Sequence, residues 1–312
     1  MNQEVRKPDF FIVGAPKCGT TAMTAYLRQH NEIFIPNVKE LHFFGADLTF
    51  RQLLNRAPDW FQMTEEKYLS YFAAAGDEKR LGEASAGYLY SESAASEIKN
   101  FSPDADIIIM LRNPVEMLYS WHSQSLYVCN EDIESFEEAF NAQEDRKHGM
   151  RIPDTAFWVE GLCYSEMAKF AKHVKRYIDI FGLQKVHVIA FDDFKENTGN
   201  VYQETLRFLG VYVEFRPDFR IINPNKVLRS QGLQKILVKP PSIFQPLGKA
   251  VSRNKMLRAF IVKWLTRLNT RYETRPLLNP EFRRRLQSQF APEIEKLSRL
   301  LNRDFSRWTK EV

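Results

Sequence analysis

Cysteine is scarce: Cys18, Cys129 and Cys163 are the only three in 312 residues, and none stands at metal-binding spacing from another. The odd number and the spacing argue against a disulfide framework or a zinc site and point to reduced, packed thiols. Long apolar runs are missing as well, with nothing near the roughly 20 residues that a membrane-spanning helix needs. The segment MNQEVRKPDF has neither an apolar signal core nor an Arg-rich transit pattern, so the expected location is cytoplasmic. No internal repeat or low-complexity tract is present, and residues 1–312 read as one domain large enough for a substantial core. Charge is only mildly one-sided. A net charge of +5 suits acidic ligands but gives no basis for a nucleic-acid partner.

The segment Phe10 to Thr21, FFIVGAPKCGTT, sets four apolar residues before a Gly-rich turn, and a helical pattern from about Thr20 to His30 follows. A buried strand, small turn residues and a helix N-terminus together make a phosphate cradle. The order of residues narrows the anion. A nucleoside-triphosphatase loop carries lysine directly before the hydroxyl residue that holds magnesium. Here Lys17 stands two residues before Gly19, and Thr20 and Thr21 follow the glycine directly. Residues Ile107 to Ser120, IIIMLRNPVEMLYS, repeat the theme: a buried strand ends in Arg112-Asn113-Pro114 and opens a helix that carries Ser120. A guanidinium and a hydroxyl placed in this way can share one phosphate.

Strand-like runs at Phe10 to Gly14, Arg80 to Ser85, Ile107 to Leu111 and Val186 to Phe191 alternate with amphipathic helical segments. This predicts an α/β fold with a P-loop-like central parallel sheet and helices on both faces. Lys17, Glu83 and Arg112 then fall at carboxyl ends of strands, the edge where open α/β sheets bind ligands. Met150 to Gly161 reads as a loop or short helix over that edge, and Gly161 to Phe181 as a helix. Asp192 and Asp193 read as carboxylates capping the next helix.

The two phosphate segments resemble the 5′-phosphosulfate and 3′-phosphate sites of sulfotransferases that use 3′-phosphoadenosine 5′-phosphosulfate (PAPS). The resemblance is nearest to the heparan sulfate branch and its bacterial relatives. Lys39-Glu40-Leu41-His42-Phe43-Phe44 is similar to the short motif whose glutamate is the general base there. Gly82-Glu83-Ala84-Ser85-Ala86-Gly87-Tyr88 is similar to the strand-end motif that follows, and Leu278 to Trp308 to the helical closure of bacterial members. Two departures are visible. Ala84 stands where heparan sulfate enzymes commonly have lysine, which weighs against a polysaccharide acceptor. Asn225 to Ser230, with Arg229, stands in place of their Gly-rich basic loop.

The resemblance implies PAPS as co-substrate and sulfuryl transfer to a hydroxyl or amine, without metal. Lys17 would neutralise the leaving oxygen, while Cys18, Gly19, Thr20 and Thr21 complete the cradle, with Cys18 as a small residue or a thiol of lowered pKa. Arg112 and Ser120 would hold the 3′-phosphate. Glu40 would take the acceptor proton with His42 orienting it, and Glu83 is the second candidate base. Small molecules, glycans and lipids remain as acceptor classes, and the oligomeric state is undetermined. Two alternatives stay open: a P-loop nucleotide kinase or other phosphotransferase, and a non-catalytic nucleotide-binding module. Beyond Pro240-Pro241, a basic amphipathic stretch at 249–275 reads as a packed helix, an acceptor-side lid or a patch for anionic membrane.

Overall fold

A computed structural model describes residues 6–48, 63–220, 226–239, 262 and 264–310. The first thirteen residues of the basic stretch, 249–261, lie outside them, as does Lys263. Five parallel strands form the central sheet in the order β2-β3-β1-β4-β5, where β1 is Phe10–Gly14, β2 Ile33–Phe34, β3 Arg80–Ala84, β4 Asp106–Leu111 and β5 Val186–Ala190. Every residue of β1 and β4 is buried, which is why Phe10 to Val13 and Ile107 to Leu111 read as apolar runs; Asp106, at the start of β4, pairs with Arg80. Phe10 pairs with Gly82 across β1 and β3, and a Cβ on Gly82 would lie 2.1 Å from the Phe10 ring. The glycine of the GEASAGY segment is therefore a packing requirement.

Arg80 ties three elements together at the opposite edge of the sheet. It reaches Asp9 and Asp106, each at 2.7 Å, and the carbonyl of Leu209 at 2.6 Å. Phe282, Leu286, Phe290, Ile294 and Leu297 line the buried face of the Pro280–Leu301 helix, which packs on the Phe170–Phe181 helix. Asn279 caps it by accepting from the amides of Glu281 and Phe282. Two short strands, β6 (Lys226–Leu228) and β7 (Thr270–Tyr272), form a small antiparallel ladder, with β6 packed near the Pro114–Tyr127 helix.

Three expectations need correction. The first helix ends at Leu27 and not at His30. The expected helix from Gly161 to Phe181 is broken into a 3₁₀ turn at Glu160–Leu162, a short helix at Tyr164–Met167 and the Phe170–Phe181 helix. Apolar periodicity continues across these breaks and hides them. Asp192 and Asp193 lie within the first turn of the Phe191–Glu196 helix and clasp the C-terminal segment: Asp193 pairs with Arg303 and Arg307, and Asp192 accepts from Trp308 Nε1 at 2.6 Å.

Candidate active site

The loop after β1 turns sharply. Lys17 has φ 64° and Gly19 φ 91°, and Gly19 leads into the Thr20–Leu27 helix. A side chain at Gly19 would be strained, and its Cβ would lie 3.1 Å from the Phe191 ring. The leading amides of the helix have no intrahelical acceptors, so they offer N–H groups to an anion. Cys18 is buried, and burial pushes its thiol up to about 12, so it packs as a small residue and the expectation of a lowered pKa is not met.

Positive charge converges on this loop. Lys17 Nζ donates to Gln124 Oε1 at 3.3 Å, and burial, with Arg275, Arg112 and Lys226 nearby, pushes its ammonium down to about 8. Arg112 lies over the Phe191 ring at 4.9 Å and donates to the Lys17 carbonyl at 3.3 Å. Glu116 answers these cations at 3.6 Å from Arg112, but it also pairs with Arg283 at 2.5 Å. The surplus of cations fits a ligand with several negative charges. Ser120 is buried in the same helix as Gln124 and one turn before it.

Asn113 explains part of the second segment. Its Oδ1 accepts from Val115 N at 3.0 Å, capping the Pro114–Tyr127 helix, and its Nδ2 donates to the Trp308 carbonyl at 3.1 Å. The C-terminal segment thus fixes the helix that carries Ser120 and Gln124. Arg229 is exposed, and its amide donates to the Asn269 carbonyl at 2.8 Å. Arg275 is the last residue of the basic stretch at 249–275. It lies beside the Tyr119 ring at 5.7 Å and within electrostatic reach of Lys17 and Arg112, so the end of that stretch joins the cationic cluster.

The carboxylates divide into two environments. Glu40 is half-exposed: its Oε2 accepts from the Ala86 amide at 2.8 Å and lies 3.6 Å from His42 Nε2, and its Oε1 lies 3.6 Å from Lys39 Nζ. Lys39 also donates to Thr21 Oγ1 at 3.3 Å, linking this segment to the phosphate loop. Glu40 (φ 57°) and His42 (φ 48°) are left-handed, costing about 1–2 kcal/mol each, so neighbouring contacts must hold this backbone. Burial lowers the His42 pKa, with Glu40 opposing, which keeps the ring neutral near pH 7.

Glu83 is enclosed. It accepts from Ser85 Oγ at 2.5 Å, Tyr68 OH at 2.9 Å and Tyr88 OH at 3.1 Å. Those hydroxyls in turn accept from the amides of His42 at 3.3 Å (Ser85) and Phe43 at 2.9 Å (Tyr88). The strained segment is therefore anchored, through two hydroxyls, to one carboxylate. Burial pushes the Glu83 carboxyl up to about 7 from an ordinary 4.5. With a raised folded pKa, the associated stability is present below pH 4.5 and lost as pH rises through 7, on the order of 3 kcal/mol in full. Glu83→Gln is expected to flatten the decline in urea midpoint between pH 5 and 8, whereas parallel declines in both proteins would place the titrating group elsewhere.

The comparisons with known proteins agree with one another. A sulfotransferase domain profile matches residues 7–230. This chain belongs to the sulfotransferase family. The human bifunctional heparan sulfate N-deacetylase/N-sulfotransferase 3 is 26% identical over 208 residues, covering 66% of this chain and 22% of that protein. Mouse carbohydrate sulfotransferase 15 is 33% identical over 147 residues, covering 36% of this chain and 26% of that protein. This sulfotransferase thus spans about a fifth to a quarter of the length of those two relatives. A sulfotransferase structure from Alicyclobacillus acidocaldarius superposes with a TM-score of 0.72 at 28% identity, covering 98% of this chain and all of the other. Among the described residues, no helix is long and apolar enough to cross a membrane, and no group of three or more His, Cys, Asp and Glu side chains is placed to hold a metal ion.

Gln124 and Lys39 were not anticipated as site residues, and Lys226 only as part of the Asn225 to Ser230 stretch. Gln124 carried a signal, because four residues beyond Ser120 on a helix is the same face. Lys226 reaches the site only through the β6–β7 ladder, which the sequence pattern did not show.

Proposed function

We propose that this sulfotransferase moves a sulfuryl group from PAPS to a hydroxyl or amine of its acceptor, with Glu40 as general base. The observation that carries the reading is the convergence of Lys17, Arg112, Lys226 and Arg275 beside a glycine-led helix N-terminus, with a half-exposed carboxylate joined to the same loop through Lys39. PAPS supplies an activated sulfuryl group and a phosphate leaving group. Lys17 stabilises charge developing on the leaving oxygen, together with the amides of Gly19 and Thr20 and the Thr21 hydroxyl. Arg112 and Ser120 hold the 3′-phosphate, with Arg229 at the rim. Glu40 takes the acceptor proton, and neutral His42 orients the acceptor. Glu83 supports the Glu40 segment from below.

A nucleotide kinase shares the fold class, but its loop lysine and magnesium carboxylate have no counterpart in the motif order of this chain. Donor selectivity tests the reading. The product nucleotide 3′,5′-ADP at about 100 times its Kd is expected to stabilise the protein by about 2.7 kcal/mol, and 5′-AMP and ADP at equal concentration by far less. The shift should persist in EDTA. Equal shifts for the three nucleotides, or loss of the 3′,5′-ADP shift in EDTA, would return the chain to the phosphotransferase reading.

A further inference from the structure

A cavity of about 260 Å³ lies among the 3₁₀ turn at Ala86–Tyr90, the Glu160–Met167 segment and the start of the Phe170–Phe181 helix. Leu48, Tyr90, Trp158, Met167 and His173 contribute to its walls, and Asp47, Glu160 and Glu166 add carboxylates. Its walls are fixed in place. Asn130 Oδ1 accepts from the amides of Phe157 and Trp158, each at 2.9 Å, and its Nδ2 donates to the Trp158 carbonyl at 3.0 Å. A Cβ on Gly161 would lie 2.6 Å from the Trp158 ring, so only glycine allows the ring its position. Tyr90 makes an edge contact with His173 at 5.1 Å and a tilted contact with Trp158 at 5.8 Å.

The cavity adjoins the chemistry. The Cβ position of Gly87 is 3.2 Å from His42 Cε1 and 3.7 Å from Leu48 Cδ1, so Leu48 in the cavity wall and His42 flank the same glycine. His42 stands 3.6 Å from Glu40. Tyr90 lies close enough to Cys18, next to Lys17, for the two to interact electrostatically. Two lining residues also hold unused polar capacity. His173 points Nε2 at the Glu166 carbonyl at 3.0 Å, which leaves Nδ1 as a buried acceptor without a partner among the described residues, and the buried Tyr90 hydroxyl has none either. Buried polar atoms of this kind are uncommon unless a ligand or water completes them.

We propose that this cavity is the acceptor pocket and that it takes a small aromatic alcohol, neutral or cationic, and not an anionic glycan. The inference rests on the sulfuryl-transfer reading of the same site and names its substrate class. A cavity of about 150 Å³ already holds a benzene ring, so 260 Å³ holds a ring with a short substituent and not a run of sugars. Aromatic walls select a ring face. Asp47 and Glu160 repel acidic substituents and attract an ammonium group; Glu166 pairs with Lys169 at 2.8 Å, and Glu92 and Lys172, which also line the cavity, pair with each other at 2.8 Å. In the reaction, the acceptor oxygen bonds to sulfur as the bond from sulfur to the bridging phosphate oxygen breaks. The acceptor proton passes to Glu40, and the electron pair leaves on the phosphate of 3′,5′-ADP.

Three phenols of similar size and different charge test this: tyramine, 4-ethylphenol and 4-hydroxyphenylacetate, titrated calorimetrically into the protein saturated with 3′,5′-ADP. Tyramine and 4-ethylphenol are expected to bind, with 4-hydroxyphenylacetate weaker than tyramine by at least about tenfold. Asp47→Asn combined with Glu160→Gln should bring that ratio close to one. Met167→Trp, filling the cavity, should abolish phenol binding while 3′,5′-ADP affinity, measured first as the check on folding, stays unchanged. Preference for the anionic phenol or for a uronate-containing oligosaccharide would overturn the proposal, as would an unaltered charge ratio in the double variant. Failure of 3′,5′-ADP itself to bind would instead sink the sulfuryl-transfer reading.

Discussion

Glu40→Gln is expected to lower kcat by about 10²-fold or more, the usual scale for loss of a general base, while 3′,5′-ADP affinity and the unfolding midpoint remain near wild type. The asymmetry between the two carboxylates motivates this. Glu40 keeps much of its surface open, and its neighbours are the Ala86 amide, the Lys39 ammonium and the neutral His42 ring. Gln retains an oxygen to accept from Ala86 N, so the segment should hold its shape without the base. Glu83 already receives three hydroxyl hydrogen bonds within a closed, buried cage, and an acceptor has no route to it that leaves them intact. Glu83→Gln should therefore act through position. Any loss of kcat should track a lowered stability or a changed KM, and the pH profile of kcat should stay that of wild type. If Glu83→Gln abolished turnover at unchanged stability while Glu40→Gln did not, the base would be Glu83.

Much of the framework of the two strand-to-helix loops was legible because it is local. A buried strand, a turn and a helix N-terminus lie within twelve consecutive residues at Phe10 to Thr21, and a second strand-to-helix junction within fourteen at Ile107 to Ser120. β1 and β4 were legible for the same reason, since both are buried throughout and carry runs of four and five apolar residues, and β3 and β5 from their place in the alternation with helical segments. β2, at two residues, is too short to leave a pattern. What escaped the sequence is tertiary. Gln124 meets Lys17 across 107 positions and Asn113 meets Trp308 across 195, and no local spacing encodes either contact. The enclosure of Glu83 was hidden for another reason. GEASAGY places a carboxylate at a strand end whether it faces solvent or a cage, and only Tyr68, from a separate helix, and Tyr88 decide which. The basic stretch at 249–275 showed the reverse problem, since its amphipathic pattern gave no sign that Arg275 stands near Lys17 and Arg112.

Lys17→Ala is expected to weaken 3′,5′-ADP binding by about 10- to 100-fold, corresponding to about 1.5–3 kcal/mol for a charge-assisted hydrogen bond. It should also lower kcat by about 10²- to 10³-fold, as loss of a donor to the leaving oxygen does. Both losses are expected because a lysine at this position serves the bound nucleotide and the transition state together. The pH dependence separates this role from simple electrostatic attraction. Burial and the nearby Arg275, Arg112 and Lys226 bring the Lys17 ammonium down to about 8 in the free protein. A bound polyanion favours the protonated form, so wild-type affinity for 3′,5′-ADP should be greatest below pH 8 and fall as pH rises through it. A guanidinium group stays protonated across this range and adds no such limb. In Lys17→Ala the affinity should be low and nearly flat from pH 7 to 9.5. A variant that kept the wild-type decline above pH 8 would show that the titrating group is not Lys17 and would remove the lysine from the leaving-oxygen role.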